Sequence, residues 1–190
     1  MNKKYLIVKK AISLELASFL YDYFIMKRKA VNHLFQNKLI SPFTKVWGHF
    51  NDPQVLNTYS IYGDTNIENL LIKLKPLMEK ETKNTLIEMY TYSRIYKHGD
   101  ILYKHKDRSA CQLSTTLFIG GDKWPIFLDG IKVDLNQGDM LIYKGCEQEH
   151  WREPFEGNNC VQSFLHYNIK SQETEKRKYD GRHFIGQIQV

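Results

Sequence analysis

The sequence predicts a mainly β protein with flanking α-helices, its β part a sandwich, jelly roll or barrel. Three observations lead there. Across residues 88–169 the apolar spacing has a period of two, and β-branched and aromatic residues dominate. Eight short strand-like runs follow one another there, separated by Gly, Asp and Asn turn signals, as antiparallel sandwiches and barrels require. The chain has 190 residues, 42% hydrophobic and 25% charged, which suits one globular domain with a core large enough to need no cross-links.

Residues 1–87 are expected to be mainly helical support for that core. Ser13 is a plausible N-cap, and Leu16, Phe19, Leu20 and Tyr23 follow at helical spacing. A second helix is expected after Thr65 and Glu68, whose spacing fits a capping box. Leu70, Leu71, Leu74, Leu77 and Met78 form its packing stripe, and Pro76 should kink or divide it. Residues 36–64 between the helices, with Pro42, Trp47, His49 and Pro53, read as a long ordered loop and a possible lid.

The expected strands are 89–96, 101–107, 112–119, 124–128, 131–135, 139–143, 148–152 and 160–168. Asp129-Gly130 is the strongest turn among them, because a type I′ hairpin needs positive φ at both central residues. Residues 170–190 read as a C-terminal extension: a charged connector, then an apolar end from Phe184 to Val190 that packs back.

Several function classes drop out. No apolar run approaches the roughly 18 residues of a membrane span, and the N-terminus does not look like a secretory leader. Cys111, Cys146 and Cys160 are too few and too scattered for a disulfide framework or a Cys-x-x-Cys zinc site. A reducing, cytoplasmic setting is therefore expected. The net charge of +6 admits an anionic partner such as nucleic acid but gives it little support, since no dense basic stripe is present. There is no phosphate-cradling glycine loop and no Gly-x-Ser-x-Gly elbow.

The chemistry concentrates in the β region. His105-Lys106-Asp107 ends a strand, and alternation puts His105 and Asp107 on one face. His150 follows on a later strand, after Gly138-Asp139 and the apolar run Met140–Tyr143. Two imidazoles and one carboxylate on one face of a metal, with the remaining positions open, suit a non-haem Fe(II) oxygenase. His166 is a rival third ligand with a less fitting position. A surface His beside an Asp is the plain alternative for the triplet taken alone.

These residues, together with Arg94-Ile95-Tyr96, His98-Gly99-Asp100, Pro154 and Gly157, resemble the Fe(II)/2-oxoglutarate-dependent oxygenases. The prolyl-4-hydroxylase-like branch, with its small bacterial and phage-encoded members, is the most similar. The resemblance covers residues 88–168 well and the N-terminal helices more loosely. It implies a double-stranded β-helix (jelly roll) core and Fe(II) held by His105, Asp107 and His150. It also implies use of 2-oxoglutarate and O2, with release of succinate and CO2 as a peptide or small-molecule substrate is hydroxylated. A peptidyl proline or lysine is the first substrate the family implies, a small metabolite the second, and a nucleic-acid base the third.

One position departs from the family. An Arg or Lys about ten residues past the distal His usually pairs with the far carboxylate of 2-oxoglutarate, and here that position is Cys160. The inward face of the strand would be Cys160, Gln162, Phe164 and His166, which has no fixed cation. Arg94, sharing a face with Tyr96, is the preferred substitute; a salt-bridged structural arginine is its alternative. Arg152, two residues past His150, is the second choice. Ser114 and Thr116 would add hydroxyls, and Gln162 and His166 hydrogen bonds, to the co-substrate. Arg108 and Trp151 are candidate substrate contacts at the mouth, and Trp124 could line it. A cupin-like metal protein, or a jelly-roll binding module without oxygenase activity, is the rival reading.

Overall fold

The structure is a computed structural model and describes residues 5–187. Ten strands form two sheets. The larger has six strands in the order β1-β8-β5-β10-β3-β2, and the smaller has four in the order β4-β9-β6-β7. Their ranges are β1 Tyr5–Val8, β2 Tyr59–Tyr62, β3 Leu86–Lys97, β4 Leu102–His105, β5 Leu113–Gly121, β6 Ile126–Leu128, β7 Ile131–Val133, β8 Met140–Tyr143, β9 His150–Arg152 and β10 Asn159–Ile169. Every paired strand is antiparallel. This is the jelly roll expected from the strand spacing, and all eight expected strands are present, several trimmed at their ends.

Alternation divides the larger sheet into two faces. Leu113, Leu117, Ile119, Met140, Ile142, Val161 and Leu165 pack outward against the helices in one cluster. Phe118, Leu141, Tyr143, Cys160 and Tyr96 face inward, against Leu102, Ile126 and Leu128 of the smaller sheet. The long central strands β3, β5 and β10 are therefore buried on both faces, which is why they read as nearly continuous apolar runs. At the β6–β7 hairpin Asp129 and Gly130 have φ of 46° and 85°, the pair of positive values a type I′ turn demands.

The helical half departs further from the sequence expectation. Helix α1 spans Leu14–Gln36 and Ser13 caps it, accepting from Leu16 N at 3.2 Å. Its buried stripe is Ala17, Leu20, Phe24 and Val31; of the expected stripe Leu20 is buried and Tyr23 packs against the core, but Leu16 and Phe19 are exposed. Ala17 is small enough to seat the helix close to β5, and Phe24 fills the next turn. Helix α2 spans Thr65–Thr82, and Asp64, not Thr65, is its N-cap, accepting from Asn66 N at 3.1 Å. Asp64 also binds Tyr23 at 2.7 Å and Lys27 at 2.6 Å, tying α1 to α2. Glu68 takes no part in a capping box. It is fully buried and pairs with Arg182 of the C-terminal extension at 2.6 Å. Pro76 does not divide α2; it sits on the exposed side, where the lost hydrogen bond costs least.

Strands β1 and β2 were not expected. β1 adds an edge beside β8, and β2 adds the opposite edge beside β3, inside the stretch expected to be loop throughout. Residues 37–58 are irregular, apart from a bridge between His49 and Ser60. The C-terminal extension packs back through Arg182 and Ile185, whereas Phe184 is exposed. The last part of the expected apolar end lies outside the described residues.

Candidate metal centre

The mouth of the jelly roll is a cleft of about 210 Å³ between the sheets. His105 ends β4 and His150 begins β9, and these two residues are directly paired in register. Asp107 follows two residues after His105, on a segment fixed by Asp107 N donating to Gly145 O at 2.9 Å. The three side chains converge. Asp107 Oδ1 lies 3.7 Å from His105 Nε2 and 3.4 Å from His150 Nε2, and the two imidazole rings are 4.2 Å apart at their centroids. Ligand atoms at right angles around a metal at ordinary bond lengths stand about 3 Å apart, so little movement would close this set on an ion.

The tautomers favour that reading. His105 Nδ1 lies 2.8 Å from Tyr103 O, and His150 Nδ1 lies 3.0 Å from Gln148 O. A carbonyl only accepts, so each Nδ1 carries the proton and each Nε2 presents its lone pair to the centre. Burial and the neighbouring His150 hold His105 below the usual imidazole pKa, leaving it neutral. Burial alone would raise Asp107, but the His150 and His166 imidazoles and the Ser114 hydroxyl that face it hold it well below the usual carboxylate range. His105 and Asp107 are therefore in ligand-competent form at neutral pH.

A second layer supports the carboxylate. Ser114 Oγ donates to Asp107 Oδ2 at 2.7 Å and lies 3.1 Å from His166 Nδ1. His166 is stacked on Tyr90 at 4.4 Å, and burial pushes its pKa down to about 4. Asp107, Cys111 and His166 form a second converging group. Burial and Asp107 push the Cys111 thiol up to about 12, and its Sγ lies 3.1 Å from the Tyr90 hydroxyl. Gly145 closes the layer: a Cβ there would overlap Asp107 Oδ2 and Ser114 Oγ, so only glycine permits this approach.

The expected co-substrate residues are distributed unequally. Arg94 and Tyr96 line the cleft, but Arg94 is already engaged. Its Nη2 donates to Asp52 at 2.6 Å and to Gln54 at 3.1 Å, its Nη1 to Tyr96 at 3.2 Å, and its Nε to Ser60 at 3.2 Å. Burial alone would lower its pKa, but Tyr96, Asp52 and Tyr92 hold it above the ordinary value. Asp52 and Gln54 belong to the 37–58 segment, so this arginine ties the loop to the cleft. Thr116, Gln162 and Arg152 lie deeper, between the sheets.

The two expected mouth residues point elsewhere. Trp151 is turned away from the cleft, because alternation along β9 sends His150 and Arg152 inward and Trp151 outward. It stacks on Phe127 at 5.3 Å with Lys104 over its ring at 4.4 Å. Arg108 is exposed, forms two hydrogen bonds to Asp180 at 2.8 and 2.5 Å, and lies over the Tyr90 ring. Trp124 is buried in the inward core rather than at the opening.

Sequence reasoning missed Asp52, Gln54, Tyr90, Tyr92 and Tyr143 in the cleft, and Gly145 behind it. The tyrosines of β3 alternate with Thr91, Ser93 and Ile95, a signal of one shared face that alternation could have found. Asp52 and Gln54 carry no local signal, because only the fold of the long loop brings them to Arg94.

No known protein-family model matches the sequence, and no curated protein matches it. Solved structures do. The viral collagen prolyl hydroxylase vCPH of Paramecium bursaria Chlorella virus-1, solved as a 2OG complex, superposes with a TM-score of 0.60 at 12% identity, covering 89% of this chain and 98% of that one. A prolyl-4-hydroxylase of Pseudomonas putida gives a TM-score of 0.60 at 12% identity, covering 90% and 95%. HygX of Streptomyces hygroscopicus, with nickel and 2-oxoglutarate bound, gives 0.57 at 10% identity, covering 88% and 83%. At these identities the likeness establishes the shared jelly-roll fold.

Proposed function

We propose that the protein is an Fe(II)- and 2-oxoglutarate-dependent oxygenase that hydroxylates a peptidyl residue, proline first, or a small molecule. The observation that carries this is the convergence of His105 Nε2, His150 Nε2 and Asp107 Oδ1, with both Nδ1 atoms engaged by their own strands' carbonyls. Two imidazoles and one carboxylate fit Fe(II) and leave its other positions free for co-substrate and O2. Bound there, iron would couple reduction of O2 by 2-oxoglutarate, which leaves as succinate and CO2, to oxidation of a C–H bond.

The chain's own residues hold and orient. Ser114 and His166 keep Asp107 ionised and fixed. Tyr143, packed edge-on against His150 at 4.9 Å, together with Phe164, keeps water from one side of the centre. Asp52 and Gln54 bring the 37–58 segment over the other side through Arg94. The solved prolyl hydroxylases on the same fold support a peptidyl substrate, and HygX supports use of 2-oxoglutarate beside a metal. No helix among the described residues is long and apolar enough to cross a membrane.

The test is turnover. Iron-loaded protein in air is given 2-oxoglutarate with panels of proline- and lysine-containing peptides, free amino acids and single-stranded oligonucleotides, and succinate is measured. Stimulation by one class, with a mass gain of one oxygen in that substrate, is the expected result. A protein that binds iron yet forms no succinate with any class would favour the cupin-like or binding-module reading.

A further inference from the structure

Behind the inner wall of the cleft, which Leu102, Ile126 and Tyr143 line, lies a cation without a counter-charge. Arg152 is 1% exposed, making it one of the largest fully buried side chains. Its Nη1 donates to Trp124 O and its guanidinium lies over the Trp124 ring, but Nε and Nη2 have no partner. Among the described residues no carboxylate pairs with it in a salt bridge. Two more buried polar atoms between the sheets are also unpartnered, Thr116 Oγ1 and Gln162 Oε1. A buried, unpaired guanidinium is among the costliest things a fold can carry, so an anionic ligand is the natural complement.

Its placement indicates which ligand. Arg152 extends inward from β9 on the same face as His150, two residues away, so it lies one strand repeat deeper than the candidate metal. Its register partner Leu102 forms the inner end of the cleft together with Ile126, Tyr143 and Tyr96. The Tyr96 ring packs edge-on against Trp124, beneath the guanidinium. The Arg152 charge also acts on Cys160, opposing the rise that burial imposes on that thiol. The guanidinium of β9 therefore reaches the region of β10 where Cys160 stands in place of a basic residue.

We propose that Arg152 is the anchor for the far carboxylate of a dicarboxylic 2-oxo acid whose 2-oxo carboxylate end faces His105, Asp107 and His150. Thr116 Oγ1 adds a hydroxyl donor, and the two free guanidinium donors give the paired geometry that arginine offers a carboxylate. Arg94 serves a different purpose. Its guanidinium is committed to Asp52 and Gln54, and it fastens the 37–58 segment across the cleft. This assignment rests on the metal and 2-oxo-acid reading given above.

The experiment is anaerobic calorimetry of iron-loaded full-length protein with two acids, 2-oxoglutarate and 2-oxopentanoate. Both carry the same 2-oxo carboxylate, and only the first has a far carboxylate. Wild type is expected to prefer 2-oxoglutarate by about 100-fold, the scale of breaking a buried charged pair. Arg152→Met should reduce that preference to roughly threefold or less. Melting without any acid provides the folding control: Arg152→Met should melt at or above wild type, because it removes an unpaired buried charge.

Several results would overturn the assignment. Arg152→Met could keep the preference, or wild type could bind both acids equally, as it would if a buried water satisfied the guanidinium. In each of these the metal reading stands. Much earlier melting of both Arg152→Met and Arg152→Gln would make Arg152 a structural arginine and also overturn it. No binding of either acid to iron-loaded wild type would overturn the 2-oxo-acid reading itself and the assignment with it.

Discussion

The metal end of the cleft and the core behind its inner wall solve the problem of buried polarity in opposite ways. At the metal end the polar atoms around the ligand set have partners: His105 and His150 on backbone carbonyls, Asp107 on Ser114, and Ser114 on His166. Behind that wall Arg152, Thr116 and Gln162 keep buried atoms unpaired. The two buried arginines repeat the contrast. Arg94 uses three of its nitrogens on four partners, while Arg152 uses one nitrogen on one carbonyl. A network satisfied by the protein holds its geometry without a ligand. An unsatisfied one costs stability until a ligand arrives, and so marks where binding energy is available.

The contrast can be broken most severely at Asp107. Asp107→Ala removes the only carboxylate of the metal set, and stoichiometric Fe(II) binding measured by metal analysis should be lost. Retention of a full equivalent would mean that the ion is held elsewhere, with Cys111 and His166 the first place to look.

Next in size is the loop fastening. Asp52→Ala strands the Arg94 charge in the interior and should cost about 3–5 kcal/mol in a denaturant titration. Arg152→Met, by contrast, should cost nothing. Equal losses from both changes would erase the distinction between the two arginines.

Ser114→Ala tests the layer behind the carboxylate. It leaves all three ligands in place and should weaken iron affinity by roughly 10–100-fold, measured by competition with a chelator. An unchanged affinity would make the Ser114–His166 pair simple core packing.

The smallest effect is expected far from both ends. Phe43 is 88% exposed, and Phe43→Ser should change stability by no more than about 0.5 kcal/mol and leave iron binding unaltered.

The same contrast bears on what the sequence made legible. The β core was readable because β3, β5 and β10 carry long β-branched and aromatic runs, and because Asp129-Gly130 admits essentially one turn geometry. His105 and Asp107 were readable from their spacing at a strand end, and His150 from its place after Gly138-Asp139 and the apolar strand together with the family resemblance. The helical half was less so. Burial on α1 turns on where the helix meets β5, so Ala17 rather than the larger Leu16 or Phe19 faces the core. Glu68 looked like a local capping partner, but it is spent on Arg182, more than a hundred residues away. β2 is four residues in a Tyr- and Asn-rich stretch, and only its pairing with β3 makes it a strand. Local chemistry survives in the sequence, whereas partners supplied by distant segments, such as Asp52 for Arg94, emerge only with the fold.

The central claim is that His105, Asp107 and His150 hold Fe(II) with positions open to a chelating 2-oxo acid. The most direct measurement is the visible metal-to-ligand charge-transfer absorption of anaerobic protein given Fe(II) and 2-oxoglutarate. Wild type should develop the band, and His105→Ala, folded by circular dichroism, should not. A band of equal strength in both proteins, or none in wild type carrying a full equivalent of iron, would contradict the account.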